Sequence, residues 1–266
     1  MLKQILKTLD KKILKKKVSQ NILKYQQTIM RQKLERENFH TFEVFYTKNQ
    51  ENSLADLFDI YGSDKGSNKN TGHVFDWDPK SYSDIYSLLF ESKRLKIKRV
   101  FECGIGTNNP LLPSSMGEKG KPGASLRAWR DYFPNSEIFG ADIDKSILFQ
   151  ERRIRTGYIN QLNQISIQQL VKEFDLVDID IVIDDGLHTF EAAISLFEVV
   201  SHKLTYEGIY IIEDIHPKEI EKFIKYFNNK KLRVNYAIFK GSRNIPAGSL
   251  IWINGSDIKT LEYSQQ

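Results

Sequence analysis

The amino-acid sequence predicts an α/β fold: a doubly wound, mostly parallel sheet with a C-terminal antiparallel strand pair and an N-terminal helical extension. Three observations predict it. Apolar runs of strand length at 99–107, 178–184 and 208–214 end in glycines or acidic residues. Segments of helical spacing alternate with these runs, the pattern of βα units whose strands are covered on both faces. The 266 residues are 40% apolar and include 16 Phe and 12 Tyr, which is enough for one large core.

The elements follow in order. Leu2, Ile5, Leu6, Leu9, Ile13 and Leu14 recur at helical spacing with lysines opposite, and Val18, Ile22 and Leu23 extend the stripe. Residues 1–36 hold eleven Lys/Arg against Asp10 and Glu35, a balance of +9, so the other 230 residues sum to −4 within the total of +5. The basic character therefore belongs to a tail, and it does not mark the body as a nucleic-acid binder. The tail predicts an amphipathic helix packed on the body or on a second copy of the chain, with a peripheral contact to anionic lipid as the sharper alternative.

Residues 54–60 and 82–90 predict helices, separated by the polar loop Tyr61-Gly-Ser-Asp-Lys-Gly-Ser67 and His73. Residues 99–107 predict a strand running into glycines, and 108–123, with three prolines and three glycines, an irregular binding segment or lid. Helices are expected at 125–133, 166–174, 190–203 and 218–227, and strands at 137–142, 178–184, 208–214, 233–239 and 250–253. The expected organisation is a basic helical extension (1–50), a helical cap with a ligand loop (51–98) and a catalytic domain (99–266). No apolar run reaches the roughly 20 residues of a membrane span, and no signal peptide is read. The single Cys103 cannot form an internal disulfide. These features predict a cytoplasmic protein.

Parallel strands deliver their last side chains to the carboxyl edge of the sheet, where ligands of open α/β folds bind. That edge would gather Asp184, Asp185 and His188 from one strand end and Glu213 and Asp214 from the next. Four carboxylates beside an imidazole repel one another unless a hard cation or a basic substrate sits among them. At the first strand end, Glu102-Cys-Gly-Ile-Gly106 is a tight turn that admits a ligand to the backbone. It lacks the third glycine of the dinucleotide fingerprint, which disfavours an NAD-linked oxidoreductase. Asp142, closing the second strand, can accept from a ribose diol. Glu102, the glycines and Asp142 together suggest an adenosyl ligand without phosphates, and S-adenosylmethionine fits.

Six motifs then carry a resemblance. They are Tyr-Gly-Ser-Asp-Lys-Gly (61–66), Glu-Cys-Gly-Ile-Gly (102–106), Gly-Ala-Ser-Leu-Arg-Ala-Trp-Arg-Asp-Tyr-Phe-Pro (123–134), Gly-Ala-Asp-Ile (140–143), Ile-Asp-Asp-Gly-Leu-His (183–188) and Ile-Glu-Asp (212–214). In this order they resemble the class I, S-adenosylmethionine-dependent, metal-dependent sugar O-methyltransferases, a family with macrolide-directed and bacterial surface-polysaccharide relatives. The resemblance excludes the basic tail and 240–266. It implies a Rossmann-like fold and Mg²⁺ (or Mn²⁺) held by Asp185, Glu213 and Asp214. It implies His188 as general base, with Asp185 beside it in catalysis. It implies a donor site drawn from Glu102, Gly104, Ile105, Gly106, Asp142, Ile143, Asp184, Asp64 and Lys65. The family's Asp-Gln pair beside the adenine stands here as Asn160-Gln161, and Leu187 replaces a common serine.

The activity so implied is methylation of a sugar hydroxyl, in capsule or other surface-glycan biosynthesis. A macrolide glycoside or a phosphoryl-containing capsule precursor is the alternative acceptor, and a non-catalytic scaffold is the alternative class. Tyr82 and Tyr86 are read as core residues, and His73, His202 and His216 are assigned no role.

Overall fold

The computed structural model describes residues 18, 21, 22, 25, 28–37, 39, 53–67, 81–240 and 246–264. The stripe from Leu2 to Leu14, Leu23 and His73 lie outside the described residues. Within the extension, residues 28–36 form helix α1. Met30 and Leu34 of α1 join the main core, and Lys33 pairs with Glu221 at 2.9 Å. Val18 and Ile22 are half exposed.

Helices α2 (Ser53–Tyr61) and α3 (Tyr82–Phe90) precede strand β1 (Arg99–Cys103). Then come α4 (Ala124–Tyr132), β2 (Glu137–Asp142), β3 (Gln150–Glu151), β4 (Ile154–Tyr158), α5 (Gln164–Glu173) and β5 (Ile179–Asp184). The chain continues through α6 (Phe190–Val200), β6 (Leu204–Glu213), α7 (Ile220–Asn229), β7 (Asn235–Lys240), β8 (Pro246–Asn254) and α8 (Gly255–Ser264). Sheet order is β3-β4-β2-β1-β5-β6-β8-β7. The five central strands are parallel, while β3 and β8 run antiparallel to their neighbours. The expected doubly wound sheet and its C-terminal antiparallel pair are present.

Three elements went unread in the sequence: the two-residue strand β3, strand β4 and helix α8. Strand β4 carries Arg155 and Gly157 and follows Arg152 and Arg153, so it lacks the apolar run of its neighbours. Helix α8 opens on Gly255 and has little amphipathic contrast.

Each core face has its own cover. Phe101, Val182 and Tyr210 face a cluster that includes α5, α6, α7 and α1. Val100, Ile183 and Ile211 face the other, which includes α2, α3 and α4. There Trp129 meets Phe58 edge-on at 4.8 Å and stacks on Phe133 at 5.8 Å, and Tyr86 stacks on Phe90 at 5.6 Å. Such ring pairs add about 0.5–1.5 kcal/mol each beyond their burial. No helix among the described residues is long and apolar enough to cross a membrane.

The β1 turn is the tightest point of the frame. Gly104 has φ +87°, and a Cβ there would lie 2.0 Å from the carbonyl oxygen of Asp185. Gly104→Ala is therefore expected to cost about 2–4 kcal/mol through backbone strain and overpacking. Urea unfolding would measure it; an unchanged midpoint would mean that the β1 and β5 ends are not locked together.

Candidate active site

Register explains which side chains meet. β1 pairs with β5 so that Glu102 lies opposite Ile183, and β5 pairs with β6 so that Asp184 lies opposite Ile212. Side chains alternate across a sheet with period two. Glu102 and Glu213 therefore sit on the α2–α4 side, and Asp185, just past β5, comes to the same side. Asp184 points to the other side, among α5, α6 and α7.

On the α2–α4 side the three carboxylates surround Lys65. Its Nζ donates to Asp185 Oδ2 at 2.5 Å and to Glu213 Oε2 at 2.6 Å, and lies 3.7 Å from Glu102 Oε1. Lys65 is 2% exposed. Burial works against its charge, but Asp185, Glu213, Glu102 and Asp64 outweigh that and hold the ammonium well above its usual pKa. The loop delivers Lys65 because Gly62, at φ +84°, ends α2 with its N–H donating to Phe58 O at 2.9 Å. Ser83 N then donates to Lys65 O at 3.0 Å, pinning the backbone to the start of α3.

Glu213 is buried and accepts at both oxygens, from Lys65 and from the Tyr86 hydroxyl. Burial and the charge of Asp185 push its pKa up, and Lys65 opposes them. Glu102 Oε2 accepts from Trp129 Nε1 at 2.8 Å. Its Oε1 is buried and has no hydrogen-bond partner among the described residues. Burial pushes Glu102 to about 7, against the Lys65 charge.

Asp214 follows β6 and is turned outward by a left-handed backbone, φ 54°, and His188 has φ 58°. Non-glycine residues in this region carry strain of about 1–3 kcal/mol each, and they cluster at functional sites. The twist brings His188 Nε2 to 3.8 Å from Asp214 Oδ2 and 3.9 Å from Asp185 Oδ1. Ligand atoms of Asp185, His188 and Asp214 all lie within 4.8 Å of one another. Two hard oxygen donors at this separation fit a divalent cation, with the imidazole beside them placed as a base. The Tyr82 hydroxyl donates to Asp214 Oδ1 at 2.6 Å and fixes its rotamer.

The three acids expected to share one ion are thus divided. Asp185 and Asp214 face His188, whereas Glu213 is engaged by Lys65 and Tyr86. Sequence reasoning missed the roles of Tyr82, Tyr86 and Trp129. The available signal was their polar ends on otherwise apolar helices, because a buried hydroxyl or indole N–H demands a partner.

Of the donor-site candidates, Gly104, Ile105, Gly106, Asp142 and Ile143 lie at the ends of β1 and β2. Gly104 and Gly106 have φ +87° and +84°. Asp142 Oδ2 accepts from Ile105 N and Oδ1 from Asp144 N, both at 2.9 Å. A carboxylate has about four acceptor positions, so capacity remains for a ribose hydroxyl. Ile143 is 47% exposed beside it. This arrangement fits an adenosyl ligand. Asn160 Oδ1 accepts from Leu162 N at 3.0 Å. Gln161 is buried and bridges Asp184 Oδ1 (2.6 Å) to Leu187 N (2.9 Å), bracing the Asp184–His188 turn from within. Asp64 is buried close to Lys65. Residues 108–122 fold back onto the turn: Met116 N donates to Thr107 O, and Gly123 N to Ile105 O.

Asp184 Oδ2 also lacks a hydrogen-bond partner among the described residues. Burial pushes Asp184 from 3.8 to about 7, against hydrogen bonds from Gln161 and Gly186. As pH rises from about 4 to 7, the unfolded chain releases this proton while the folded chain keeps it. The contribution of Asp184 to stability therefore falls through that window, by an amount on the order of 4 kcal/mol. Asp184→Asn is expected to stabilise at about pH 8.5 by about 1–3 kcal/mol, after the cost of burying an amide. At about pH 4.5 it should bring no gain. Denaturant titrations at both pH values check this, and an equal effect at both would sink the assignment.

No family model matches the chain. Among curated proteins it is 29% identical over 162 residues to 8-demethyl-8-alpha-L-rhamnosyl tetracenomycin-C 2'-O-methyltransferase of Streptomyces olivaceus, 61% of this chain and 37% of that protein. It is 32% identical over 170 residues to L-olivosyl-oleandolide 3-O-methyltransferase of Streptomyces antibioticus, 63% of this chain and 38% of that one. The chain thus spans well under half the length of these curated relatives. The solved MycE methyltransferase of the mycinamycin pathway, in complex with Mg and SAH, superposes with TM-score 0.55 at 23% identity, covering 76% of this chain and 54% of MycE. A second MycE structure, with mycinamycin VI also bound, gives 0.56. The chain has the class I methyltransferase fold and is similar in sequence to sugar O-methyltransferases of macrolide and tetracenomycin pathways.

Proposed function

We propose that this protein is an S-adenosylmethionine-dependent, divalent-metal-dependent O-methyltransferase acting on a sugar hydroxyl of a glycoside. The observation that carries the reading is the convergence of Asp185, His188 and Asp214 from the adjacent ends of β5 and β6. The curated relatives are named for transfer to rhamnosyl and olivosyl sugars, which favours a glycoside acceptor over a free sugar.

Asp185 and Asp214, with Glu213 behind them, would hold the ion. A divalent ion supplies Lewis acidity that lowers the pKa of a coordinated hydroxyl. The donor supplies a sulfonium methyl, which becomes the new O–CH₃ as the sulfonium becomes a thioether. His188 Nε2 takes the hydroxyl proton as that bond forms, and the flanking carboxylates stabilise the resulting imidazolium. Tyr82 and Tyr86 hold Asp214 and Glu213 in fixed rotamers. The glycine turn and Asp142 orient the donor.

The test incubates the protein with donor, Mg²⁺ and a panel of rhamnosides, olivosides and nucleotide-activated sugars, read by a mass gain of one methyl group. Isothermal titration with S-adenosylmethionine runs in parallel. Absence of donor binding would favour a non-catalytic scaffold.

A further inference from the structure

Lys65 engages the oxygen through which Glu213 would serve as a third carboxylate ligand. Its ammonium bonds Asp185 Oδ2 and Glu213 Oε2 together, so Glu213 cannot turn to an ion while that bridge stands. A second acceptor is already in reach. Glu102 Oε1, 3.7 Å away, is buried and makes no hydrogen bond among the described residues. The loop is tied down around Lys65, by Ser63 N donating to Phe58 O at 2.8 Å before it, Ser83 N donating to Lys65 O at 3.0 Å, and Ser67 Oγ donating to Asp59 Oδ2 at 3.0 Å after it. The flexible four-carbon stem of a lysine can move its charge while the loop stays in place.

We propose that Lys65 is an internal stand-in for the divalent ion, a positioning residue that bridges Asp185 and Glu213 in the ion-free protein and moves onto Glu102 when the ion binds. The inference rests on the metal-dependent reading above and adds a role for the Tyr61–Ser67 loop. The exchange keeps the buried charge balanced in both states. Without the ion, Lys65 keeps Asp185 and Glu213 from repelling each other. With it, Glu102 receives the displaced ammonium in place of solvent, from which both side chains are buried. Buried carboxylates left without a cation are strongly destabilising, so an ion site of this charge needs such a partner to remain folded when empty.

The exchange predicts effects of opposite sign from two substitutions. Lys65→Met removes the competitor, and Mn²⁺ should bind roughly 10–100-fold tighter than to the unaltered protein. Its thermal unfolding temperature should fall without metal and rise on Mn²⁺ addition by more than that of the unaltered protein. Glu102→Gln removes the charge that receives Lys65, and Mn²⁺ should bind roughly tenfold weaker. Isothermal titration and electron paramagnetic resonance of free Mn²⁺ measure both. Equal or weaker binding by Lys65→Met overturns the proposal. If Lys65→Met does not fold even with Mn²⁺, unchanged affinity in Glu102→Gln overturns it and a weakened one supports it. No Mn²⁺ binding by the unaltered protein overturns the metal-dependent reading as well. Binding by the unaltered protein that neither variant alters overturns this inference alone.

Discussion

Replacing His188 with alanine is expected to lower turnover by about 10²–10⁴-fold, the usual contribution of a positioned general base, while the dissociation constant for S-adenosylmethionine changes by less than about threefold. The separation follows from the fold. His188 stands past β5 among Asp185 and Asp214, whereas the donor-site candidates Gly104, Gly106 and Asp142 belong to β1, β2 and the turn between them. The imidazole lies in a left-handed backbone at φ 58° and just before Thr189, whose side chain caps α6 by accepting from Ala192 N. Left-handed positions favour glycine first, then asparagine, aspartate and histidine. His188→Asn therefore serves as the conservative control: it tolerates this backbone and should match alanine in lost turnover while leaving unfolding unchanged. A parallel loss of donor affinity and stability in both variants would assign His188 a structural role.

The fold was legible because its strands obey simple rules. Runs such as Ile179–Asp184 are apolar along nearly their whole length, as strands covered on both faces must be. Their acidic ends announced the carboxyl edge. Strand β4 was hidden because it carries charge and a glycine and stands near the sheet's margin, beyond which lies only the two-residue β3. At the site, period-two alternation already separates Asp184 from Asp185, so their different surroundings could have been read from parity alone. The position of Lys65 could not. Nothing local to residues 61–67 reveals that the loop crosses the edge of β1, β5 and β6; that comes from the packing of α2 on α4 and of α3 on the same face. The division of labour between Glu213 and Asp214 was equally hidden, since it depends on one left-handed residue and on two tyrosines from α3.

Chelation with EDTA is expected to abolish turnover, by more than about 10³-fold, and Mg²⁺ to restore it. Charge makes the case. Asp185, Glu213, Asp214 and Glu102 crowd one edge of the sheet, at the ends of β1, β5 and β6, and Lys65 is the cation bonded among them in the described structure. Burial, with the charge of Asp185 beside it, drives Glu102 to about 7 and raises Glu213 against the Lys65 charge. Asp185 and Asp214 nonetheless retain oxygens turned toward His188, and Asp214 and His188 hold left-handed backbones that cost energy. Strain that aims two like charges at one point is unfavourable unless a cation is meant to sit there. Asp214→Asn keeps the acceptor for the Tyr82 hydroxyl and removes one charge. Its Mg²⁺ requirement should rise by at least about tenfold, with donor affinity preserved. Initial rates against Mg²⁺ concentration measure both effects. Full turnover in EDTA would take the ion out of the reaction and leave His188, flanked by two carboxylates, as its sole chemical device.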